Sequence, residues 1–175
     1  MRTIEPLDRA RHARENFDCG KPVLNAFLRQ YAAQQKDKGI SNTFVMVEDY
    51  DAMPRPIIGY FTIRPYEISR DRLPQNLRTG YTDRIGAYLL TKLAVATVQK
   101  SKGVGTTLLH DALRRVIALI DQAGGAGLFV DAKEEDVVSF YTERGFIRLA
   151  VDSLELYMPK KTIEELLSKI SAAKQ

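Results

Sequence analysis

The sequence has few of the residue types that support disulfide, metal or membrane chemistry. Its 175 residues include one cysteine, two histidines and no tryptophan. The single Cys19 excludes an internal disulfide, and His12 and His110 form no Cys/His cluster with metal-ligand spacing, so we expect no metal ion. The chain shows no N-terminal apolar segment and no apolar run of about 18 residues, which predicts a cytoplasmic protein without a signal peptide or membrane span.

Two common nucleotide-binding patterns are also missing from the chain. It contains neither the G-x-x-x-x-G-K-[ST] pattern of a P-loop nor the G-x-G-x-x-G pattern of a dinucleotide fold. Phosphoryl transfer and hydride transfer therefore lose support as functions. The composition, with 45% hydrophobic and 27% charged residues, is that of an ordinary globular protein. We expect one domain that spans residues 1–175.

Positive charge is concentrated in the first part of the chain. Residues 1–102 hold 17 Lys and Arg against 11 Asp and Glu, whereas residues 103–175 hold 9 against 11. The local excess lies in eight residues, which are Arg64, Arg70, Arg72, Arg78, Arg84, Lys92, Lys100 and Lys102. This asymmetry favours a polyanionic ligand, either a cofactor alone or a cofactor with a nucleic acid. A solvated basic face explains it equally well.

The most informative segment joins an apolar strand to a glycine-containing loop that opens into a helix. The strand ends in Leu93, Ala94 and Val95, and the loop contains Lys100, Ser101, Lys102, Gly103, Val104, Gly105 and Thr106. The two glycines allow a ligand to approach the backbone closely, and the positive end of the helix dipole favours negative charge there. The two lysines add mobile cations. The segment therefore predicts an anion site.

A second motif lies further along the chain, in Ser139-Phe140-Tyr141-Thr142-Glu143-Arg144-Gly145-Phe146. Together the two motifs resemble the GCN5-related N-acetyltransferases, the GNAT superfamily. The loop is similar to their acetyl-CoA pyrophosphate loop, with Ser101 at a position where glycine is common. The second motif matches the Phe-Tyr-x-x-x-Gly-Phe signature that closes their cofactor site. The resemblance covers almost the whole chain and implies an α/β fold, a mixed sheet with helices on both faces.

The resemblance also implies the cofactor acetyl-CoA and the residues that hold it. The pantetheine arm would pair with main-chain groups near Leu93 and Val95, and the N–H of Val95 would face the thioester oxygen. N–H groups from Lys100 to Thr106 would hold the pyrophosphate. The implied cofactor-binding residues are Leu93, Ala94, Val95, Lys100, Ser101, Lys102, Gly103, Val104, Gly105, Thr106 and Phe140.

Tyr141 is the candidate general acid for acyl transfer from a thioester to an amine. The departing thiolate needs a proton, and a phenol with a pKa of about 10 carries one at pH 7. Packing is the alternative role, because Val137, Phe140 and Tyr141 share one helical face. No carboxylate stands out as a general base. This favours an α-amine acceptor, with a pKa of about 8, over a lysine, with a pKa of about 10.4.

Several short segments are similar to the toxin branch of the GNAT superfamily. They are Phe17-Asp18-Cys19-Gly20, Leu24–Leu28, Ser41–Val45, Gly59-Tyr60-Phe61 and Asp131–Glu135. This resemblance implies acetylation of the α-amine of aminoacyl-tRNA, a block of translation, and inhibition by a ribbon-helix-helix antitoxin that binds operator DNA. The sequence leaves the oligomeric state open, with a homodimer as one alternative.

Hydrophobic periodicity predicts the elements on which these motifs lie. The predicted strands are residues 1–4, 43–47, 57–63, 85–95, 128–130, 146–151 and 154–158. The predicted helices are residues 6–15, 22–38, 103–123, 133–144 and 160–173. Residues 65–82 are predicted to be a loop or short helical insertion outside the core, and the arginine-rich segment 64–84 is where we expect substrate preference to be set.

Two other functions stay open on the sequence alone. One is a GNAT enzyme that acetylates a small amine or a protein N-terminus without tRNA. The other is a non-catalytic member that acts as a CoA-binding or repressor subunit. Tight, salt-sensitive tRNA binding would separate tRNA acetylation from the first alternative, and loss of CoA affinity would indicate the second.

Overall fold

Eight strands and five α-helices make up the part of the chain that the computed structural model describes, residues 1–48 and 53–173. The strands are β1 (Arg2–Pro6), β2 (His12–Ala13), β3 (Asn42–Glu48), β4 (Arg55–Ser69), β5 (Arg84–Val95), β6 (Gly127–Asp131), β7 (Ile147–Arg148) and β8 (Glu155–Pro159). The helices are α1 (Pro22–Ala26), α2 (Ala32–Asp37), α3 (Val104–Ala123), α4 (Glu135–Thr142) and α5 (Lys160–Ala172). The strand order is β1-β3-β4-β5-β6-β8-β7, with β2 beside β4.

The sheet is mixed, as predicted, because it contains both parallel and antiparallel neighbours. β2 runs parallel to β4. β5 runs parallel to β6, whereas β1–β3, β3–β4, β6–β8 and β7–β8 are antiparallel. Among the described residues no helix is both long enough and apolar enough to cross a bilayer.

The described residues divide into two units, of which the first consists of residues 1–64 and 91–112. The strands predicted over residues 43–47 and 57–63 are confirmed as parts of β3 and β4, which pair antiparallel with Phe44 opposite Phe61. The chain after β5 is tied to β4, because Ala96 N donates to Ile58 O at 3.0 Å. Apolar residues from all these elements form the core of this unit, which includes Leu7, Phe17, Phe27, Leu28, Val45, Val47, Tyr60 and Ala94.

The second unit consists of residues 65–90 and of the described residues from 113 onward. β5 and β6 are paired from Tyr88–Leu128 to Leu90–Val130, and β8 carries β7 on its other edge. The core of this unit contains Ile68, Leu73, Ile85, Ala87, Leu89, Ala126, Phe129 and Tyr157. The long helix over 103–123 is confirmed, and it ends at Gly124 and Gly125 with φ of +82° and +138°.

The helical segment predicted from Pro22 is confirmed, but a π-turn over Phe27–Tyr31 interrupts it. Its buried face is narrower than the periodicity indicates. Leu28 is fully buried, whereas Val23 is 77% exposed and Tyr31 is 50% exposed. The inserted π-turn rotates the register of side chains along the helix, so the simple 3.6-residue period does not hold across it.

The predicted helix over residues 6–15 is wrong. The side-chain Oδ1 of Asp8 accepts hydrogen bonds from Ala10 N (2.8 Å) and Arg11 N (3.3 Å), which is an Asx-type turn. His12 then pairs alongside Arg55 as part of β2. A local side-chain-to-backbone bond thus replaces the helical bond that the polar sequence favoured.

The prediction that residues 65–82 lie outside the core is also wrong. β4 continues to Ser69, and two short 3₁₀ turns follow at Arg70–Arg72 and Gln75–Leu77. Ile68 and Leu73 are 2% and 1% exposed and belong to the core of the second unit. The prolines and polar residues around Ile68 and Leu73 interrupt the hydrophobic periodicity, so the sequence pattern does not indicate that these two residues are buried.

Candidate active site

The predicted anion loop lies in the first unit, where β5 leads into α3. After Val95 the chain makes a 3₁₀ turn at Thr97–Gln99 and then a turn that reaches α3 at Val104. Ser101 and Gly103, on either side of Lys102, have φ of +62° and +74°. Left-handed residues in such a turn direct successive N–H groups toward the same side, which forms an anion-binding concavity.

The backbone donors of residues 101–105 in this loop have no acceptor within the described part of the chain. The first hydrogen bond of α3 is from Thr107 N to Gly103 O at 3.1 Å. The N–H groups of residues 101–105 donate to no described acceptor. Because the positive end of the α3 dipole adds to these donors, the loop is suited to a phosphate or diphosphate.

Two lysines of the loop are exposed, as an anion site requires. Lys102 forms no ion pair or side-chain hydrogen bond with any residue that the structure describes. Lys100 lies near Asp18, where its charge makes a small contribution to a lowered pKa of that carboxyl. The larger causes of that lowered pKa are hydrogen bonds from Gly20 N and from the amide of Asn25.

A segment near the N-terminus braces the loop from behind. Asp18 O accepts hydrogen bonds from Thr97 N (2.9 Å) and from Thr97 Oγ1 (3.2 Å). Asn25 supports the same segment, because its Oδ1 accepts from Cys19 N (3.0 Å) and its Nδ2 donates to the Asp18 carboxylate (2.8 Å). Cys19 is buried and unpaired with another cysteine, in agreement with a structural role.

Gly59 on β4 allows the first turn of α3 to approach the sheet. A Cβ at this position would lie 2.8 Å from Leu108 Cδ1, 3.0 Å from Ala94 O and 3.2 Å from Val104 Cγ1. These distances are shorter than normal van der Waals contact. The absence of a side chain at Gly59 therefore sets where the anion loop lies relative to β5.

The three predicted pantetheine residues end β5. Ala94 is 4% exposed and belongs to the core, whereas Leu93 and Val95 are half-buried. β5 continues for five residues beyond the last pair of its ladder with β6, which is Leu90–Val130. The main chain of residues 91–95 is therefore not paired with β6.

The second unit carries Tyr141, on the last turn of α4. The residue is 5% exposed, and its ring makes edge contacts with Phe140 (5.1 Å between centroids) and Phe146 (5.3 Å). Its hydroxyl has no hydrogen-bond partner among the described residues. Burial raises the pKa of Tyr141 well above that of a free phenol, so the group keeps its proton throughout the physiological range.

The backbone conformation at position 145 explains why the second motif contains a glycine there. Gly145 has φ of +95°, and it reverses the chain after α4 so that Phe146 N donates to Tyr141 O at 3.2 Å. Phe146 thereby packs on Tyr141. Phe140 is covered from the other side by Arg144, whose guanidinium lies 3.9 Å from the ring centroid and donates to Phe140 O.

Much of the positive charge that the sequence concentrates in residues 64–84 is used within the protein. Arg70, Arg72 and Arg84 pair with Asp83, Glu155 and Glu67, respectively. Arg78 donates to the backbone oxygens of Leu73 (2.8 Å) and Asp71 (2.7 Å). The arginine count therefore overstates the charge that a bound anion would meet in this segment.

Sequence reasoning assigned no supporting role to Asp18, Asn25, Gly59 or Thr97, although the first three lie in segments that resemble the toxin branch. Asp18 has a weak local signal, since an Asp two residues before Gly is typical of an Asx turn. Its pairing with Thr97 has no local signal, because the two residues lie 79 positions apart.

Two curated relatives match the chain over nearly its whole length. The probable toxin TacT of Sinorhizobium fredii (strain NBRC 101917 / NGR234) is 30% identical over 176 residues, covering 95% of each chain. The tRNA-acetylating toxin of Mycobacterium tuberculosis (strain ATCC 25618 / H37Rv) is 26% identical over 152 residues, covering 87% of this chain and 89% of that protein. No protein-family model matches.

Solved structures of similar proteins include three complexes. AtaT complexed with acetyl-methionyl-tRNAfMet has a TM-score of 0.87 and 29% identity, with 95% of this chain and 99% of that chain covered. A Tyr-to-Phe variant of AtaT with the C-terminus of the antitoxin AtaR and acetyl-CoA has a TM-score of 0.81, 28% identity and coverage of 95% and 98%. The KacTA–DNA complex has a TM-score of 0.81, 28% identity and coverage of 97% and 99%.

The mixed sheet, the anion loop at the start of α3 and the tyrosine of α4 define a GCN5-related N-acetyltransferase. The relatives narrow this class to one of its branches. The chain belongs to the family of the toxin TacT, the toxin branch of that superfamily.

Proposed function

We propose that this protein transfers the acetyl group of acetyl-CoA to the α-amine of an aminoacyl-tRNA and thereby blocks translation. The observation that carries the proposal is the run of five N–H donors without an acceptor, residues 101–105, at the positive end of α3. The similarity to AtaT in complex with acetyl-methionyl-tRNAfMet supports the choice of acceptor. The proposal treats residues 1–175 as a single acetyltransferase domain.

The residues of the loop fit acetyl-CoA, because unused donors and exposed lysines are what a diphosphate requires. Of the predicted donors from Lys100 to Thr106, the N–H groups of residues 101–105 would bind the pyrophosphate, and main-chain groups near Leu93 and Val95 would hold the pantetheine arm. Bound acetyl-CoA supplies the acetyl group as a thioester. Phe140 packs against the cofactor at the edge of its ring that Arg144 leaves uncovered.

Tyr141 is the general acid in this proposal. Its Oη carries a proton at neutral pH, and no described residue accepts a hydrogen bond from it. As the amine nitrogen bonds to the acetyl carbon and the C–S bond breaks, Tyr141 would give this proton to the sulfur, so that CoA leaves as a thiol. The nitrogen would lose its own proton to solvent, and solvent would reprotonate Tyr141. An α-amine of pKa about 8 needs no carboxylate base, since a usable fraction is neutral near pH 7.

The relatives also support a partner and a compartment. AtaT is seen with the antitoxin AtaR, and KacTA is seen with DNA. We expect a ribbon-helix-helix antitoxin to bind this protein. In that complex the antitoxin, and not this protein, would contact operator DNA. The protein would act in the cytoplasm, where charged tRNA is present.

The test is the transfer of labelled acetyl from acetyl-CoA to a pool of charged tRNA, with deacylated tRNA as the blank. Label on charged tRNA alone supports the proposal and reveals the preferred amino acid. Label on small amines but not on charged tRNA would instead support the small-amine alternative. A protein that fails to bind acetyl-CoA would support the non-catalytic alternative.

The role of Tyr141 is tested in the same assay with Tyr141→Phe. This change removes only a hydroxyl without a described partner, so the fold and the acetyl-CoA affinity should be preserved while turnover falls at least 100-fold. Full turnover of Tyr141→Phe would show that the acid is another group. Acetyl-CoA binding by calorimetry serves as the control for both the fold and the loop.

A further inference from the structure

The second unit has an open groove that the proposed function does not use. Its volume is about 510 Å³, which is within the usual range for ligand sites. One wall is the start of β5, from Arg84 to Tyr88, and another is the turn that follows α3, from Ala123 to Ala126. The groove contains neither Tyr141 nor any residue of the anion loop.

The wall formed by β5 alternates between two environments. Ile85, Ala87 and Leu89 point into the core of the unit. Arg84, Gly86 and Tyr88 face the groove instead, with Arg84 and Gly86 exposed and Tyr88 half-buried. At about 3.3 Å per residue, Arg84 and Tyr88 are roughly 13 Å apart along the strand, with a bare stretch of backbone between them. The cation of Arg84 and the ring of Tyr88 thus lie at the two ends of one accessible stretch of main chain.

Tyr88 differs from Tyr66 and Tyr157 in making no ring contact with a described residue. Tyr66 and Tyr157 both contact Phe129, at 5.3 Å and 4.4 Å between centroids. The ring of Tyr88 makes no such pair and no hydrogen bond to a described residue. Its Cε2 lies 3.2 Å from where a Cβ on Gly125 would be. A half-exposed ring that the core does not use is available to stack on a planar ligand.

Glycines keep this groove open. A Cβ on Gly86 or on Gly124 would have no atom within 4 Å, so a side chain at either position would extend into free space. A Cβ on Gly125 would instead press on Tyr88 and on Ile120 Cγ1 at 3.3 Å. Three positions around the groove therefore present backbone groups without the steric cover of a side chain.

Within the described part of the chain, the side chain of Arg84 is held by one weak ion pair. It contacts Glu67, but the two side chains are 80% and 57% exposed. Pairs with this exposure are readily exchanged for another anion. A phosphate can therefore replace Glu67 at the guanidinium without leaving a buried charge unpaired.

We infer that this groove binds one nucleotide of an unpaired RNA segment, with the base stacked on Tyr88 and its phosphate on Arg84. The inference rests on the proposed function, because it assigns a second contact for the RNA substrate. Stacking on an aromatic ring and a charge-assisted contact with phosphate are the two interactions on which single-stranded nucleic-acid sites are built.

The kinetic test compares two acceptors, an aminoacyl-tRNA and the methyl ester of the same amino acid. Tyr88→Ala should raise KM for the aminoacyl-tRNA about tenfold, with kcat and the KM for acetyl-CoA unchanged and with no effect on the ester. Tyr88→Phe keeps the ring and should behave as the wild type. Arg84→Gln should lower the slope of log affinity for tRNA against log salt concentration by about one, the amount expected for one lost phosphate contact. Glu67→Gln should tighten tRNA binding, because it removes the carboxylate that competes for Arg84.

An unchanged KM for aminoacyl-tRNA in both Tyr88→Ala and Arg84→Gln would overturn the inference, as would an equal rise for both acceptors. Arg84 is exposed, so its substitution tests the groove even if Tyr88→Ala does not fold. If the wild type acetylates no tRNA, the proposed function fails, and fluorescence anisotropy of a labelled single-stranded oligoribonucleotide decides the groove separately. Weaker binding of that RNA by Arg84→Gln supports the groove, and equal binding contradicts it.

Discussion

The backbone oxygen of Asp18 accepts both the main-chain N–H of Thr97, at 2.9 Å, and its hydroxyl, at 3.2 Å. Thr97 begins the turn that leads to the anion loop, and Asp18 lies in the turn before α1. One carbonyl group therefore fixes the loop to a part of the chain 79 residues away. The geometry of the loop depends on this contact as well as on its own glycines.

Thr97→Val tests this brace, because valine keeps the shape of threonine but loses the hydroxyl donor. We expect a loss of about 1 kcal/mol in the free energy of unfolding and a several-fold rise in KM for acetyl-CoA, with kcat near normal. Thr97→Ser retains the donor and is the matched control. Urea denaturation and initial rates measure the two effects, and equal behaviour of the two variants would contradict the role of the hydroxyl.

Gly103→Asp should abolish acetyl-CoA binding. The new carboxylate would repel a diphosphate, and a side chain at φ of +74° adds conformational strain of about 1–2 kcal/mol. Gly39→Asp is the control, since Gly39 has φ of +67° and, like Gly103, open space where a Cβ would lie. The two variants should lose similar stability, and only Gly103→Asp should lose binding by calorimetry.

Gly59→Ala should destabilise the protein by about 1–3 kcal/mol, because the new Cβ would collide with Leu108 and with the Ala94 carbonyl. Relief of the collision moves the start of α3, so acetyl-CoA affinity should fall as well. Gly86→Ala is the control for stability, since a Cβ there meets nothing within 4 Å, and its change should stay within about 0.5 kcal/mol. Similar unfolding midpoints for the two variants would refute this account.

Three buried tyrosines predict loss of stability in alkali. Burial raises the pKa of Tyr60, Tyr141 and Tyr157 above the value of about 10 in the unfolded chain. Above pH 10 the unfolded state therefore binds fewer protons than the native state, so the free energy of unfolding falls as pH rises, by up to about 1.4 kcal/mol per pH unit for each tyrosine. Urea titrations between pH 9 and pH 11 measure the slope of the unfolding free energy against pH. Tyr141→Phe should make this slope shallower by up to the contribution of one proton.

A buried charge cluster ties β1 to β2 and β4. Glu5 accepts a hydrogen bond from His12 Nε2 at 2.7 Å and pairs with Arg55, while Arg11 lies 3.4 Å away. His12 and Arg55 are 2% and 6% exposed. His12 Nδ1 accepts from Asp8 N at 2.9 Å, which makes Nε2 the protonated nitrogen of a neutral ring.

Glu5→Ala should lower the free energy of unfolding by about 3–5 kcal/mol, because it leaves the guanidinium of Arg55 buried without a counter-charge. Glu67→Ala breaks the exposed pair with Arg84 and should change it by less than about 1 kcal/mol. Guanidinium-induced unfolding of both variants provides the comparison. A small effect of Glu5→Ala would mean that solvent reaches Arg55 once the carboxylate is gone.

Long and strongly patterned elements could be predicted from the sequence. The stripe of apolar residues from Val104 to Ile120 identified α3, and the mostly apolar segment over residues 85–95 identified β5. Residues 6–15 were mispredicted because the side chain of Asp8 competes for the backbone donors that a helix would use. Residues 65–69 were mispredicted because a proline and charged residues surround the single anchor Ile68.

The amino-acid sequence by itself determined the family and predicted the anion loop and the tyrosine motif, since each depends on residues close together in the chain. Gly103 and Gly145 can be recognised locally because a turn requires a left-handed residue at that point. The tertiary structure alone decided what supports these motifs. Three features join residues far apart in sequence: the pairing of Asp18 with Thr97, the close approach at Gly59 and the groove beside Tyr88. Such long-range contacts leave no periodic pattern in the sequence, so the sequence alone does not predict them.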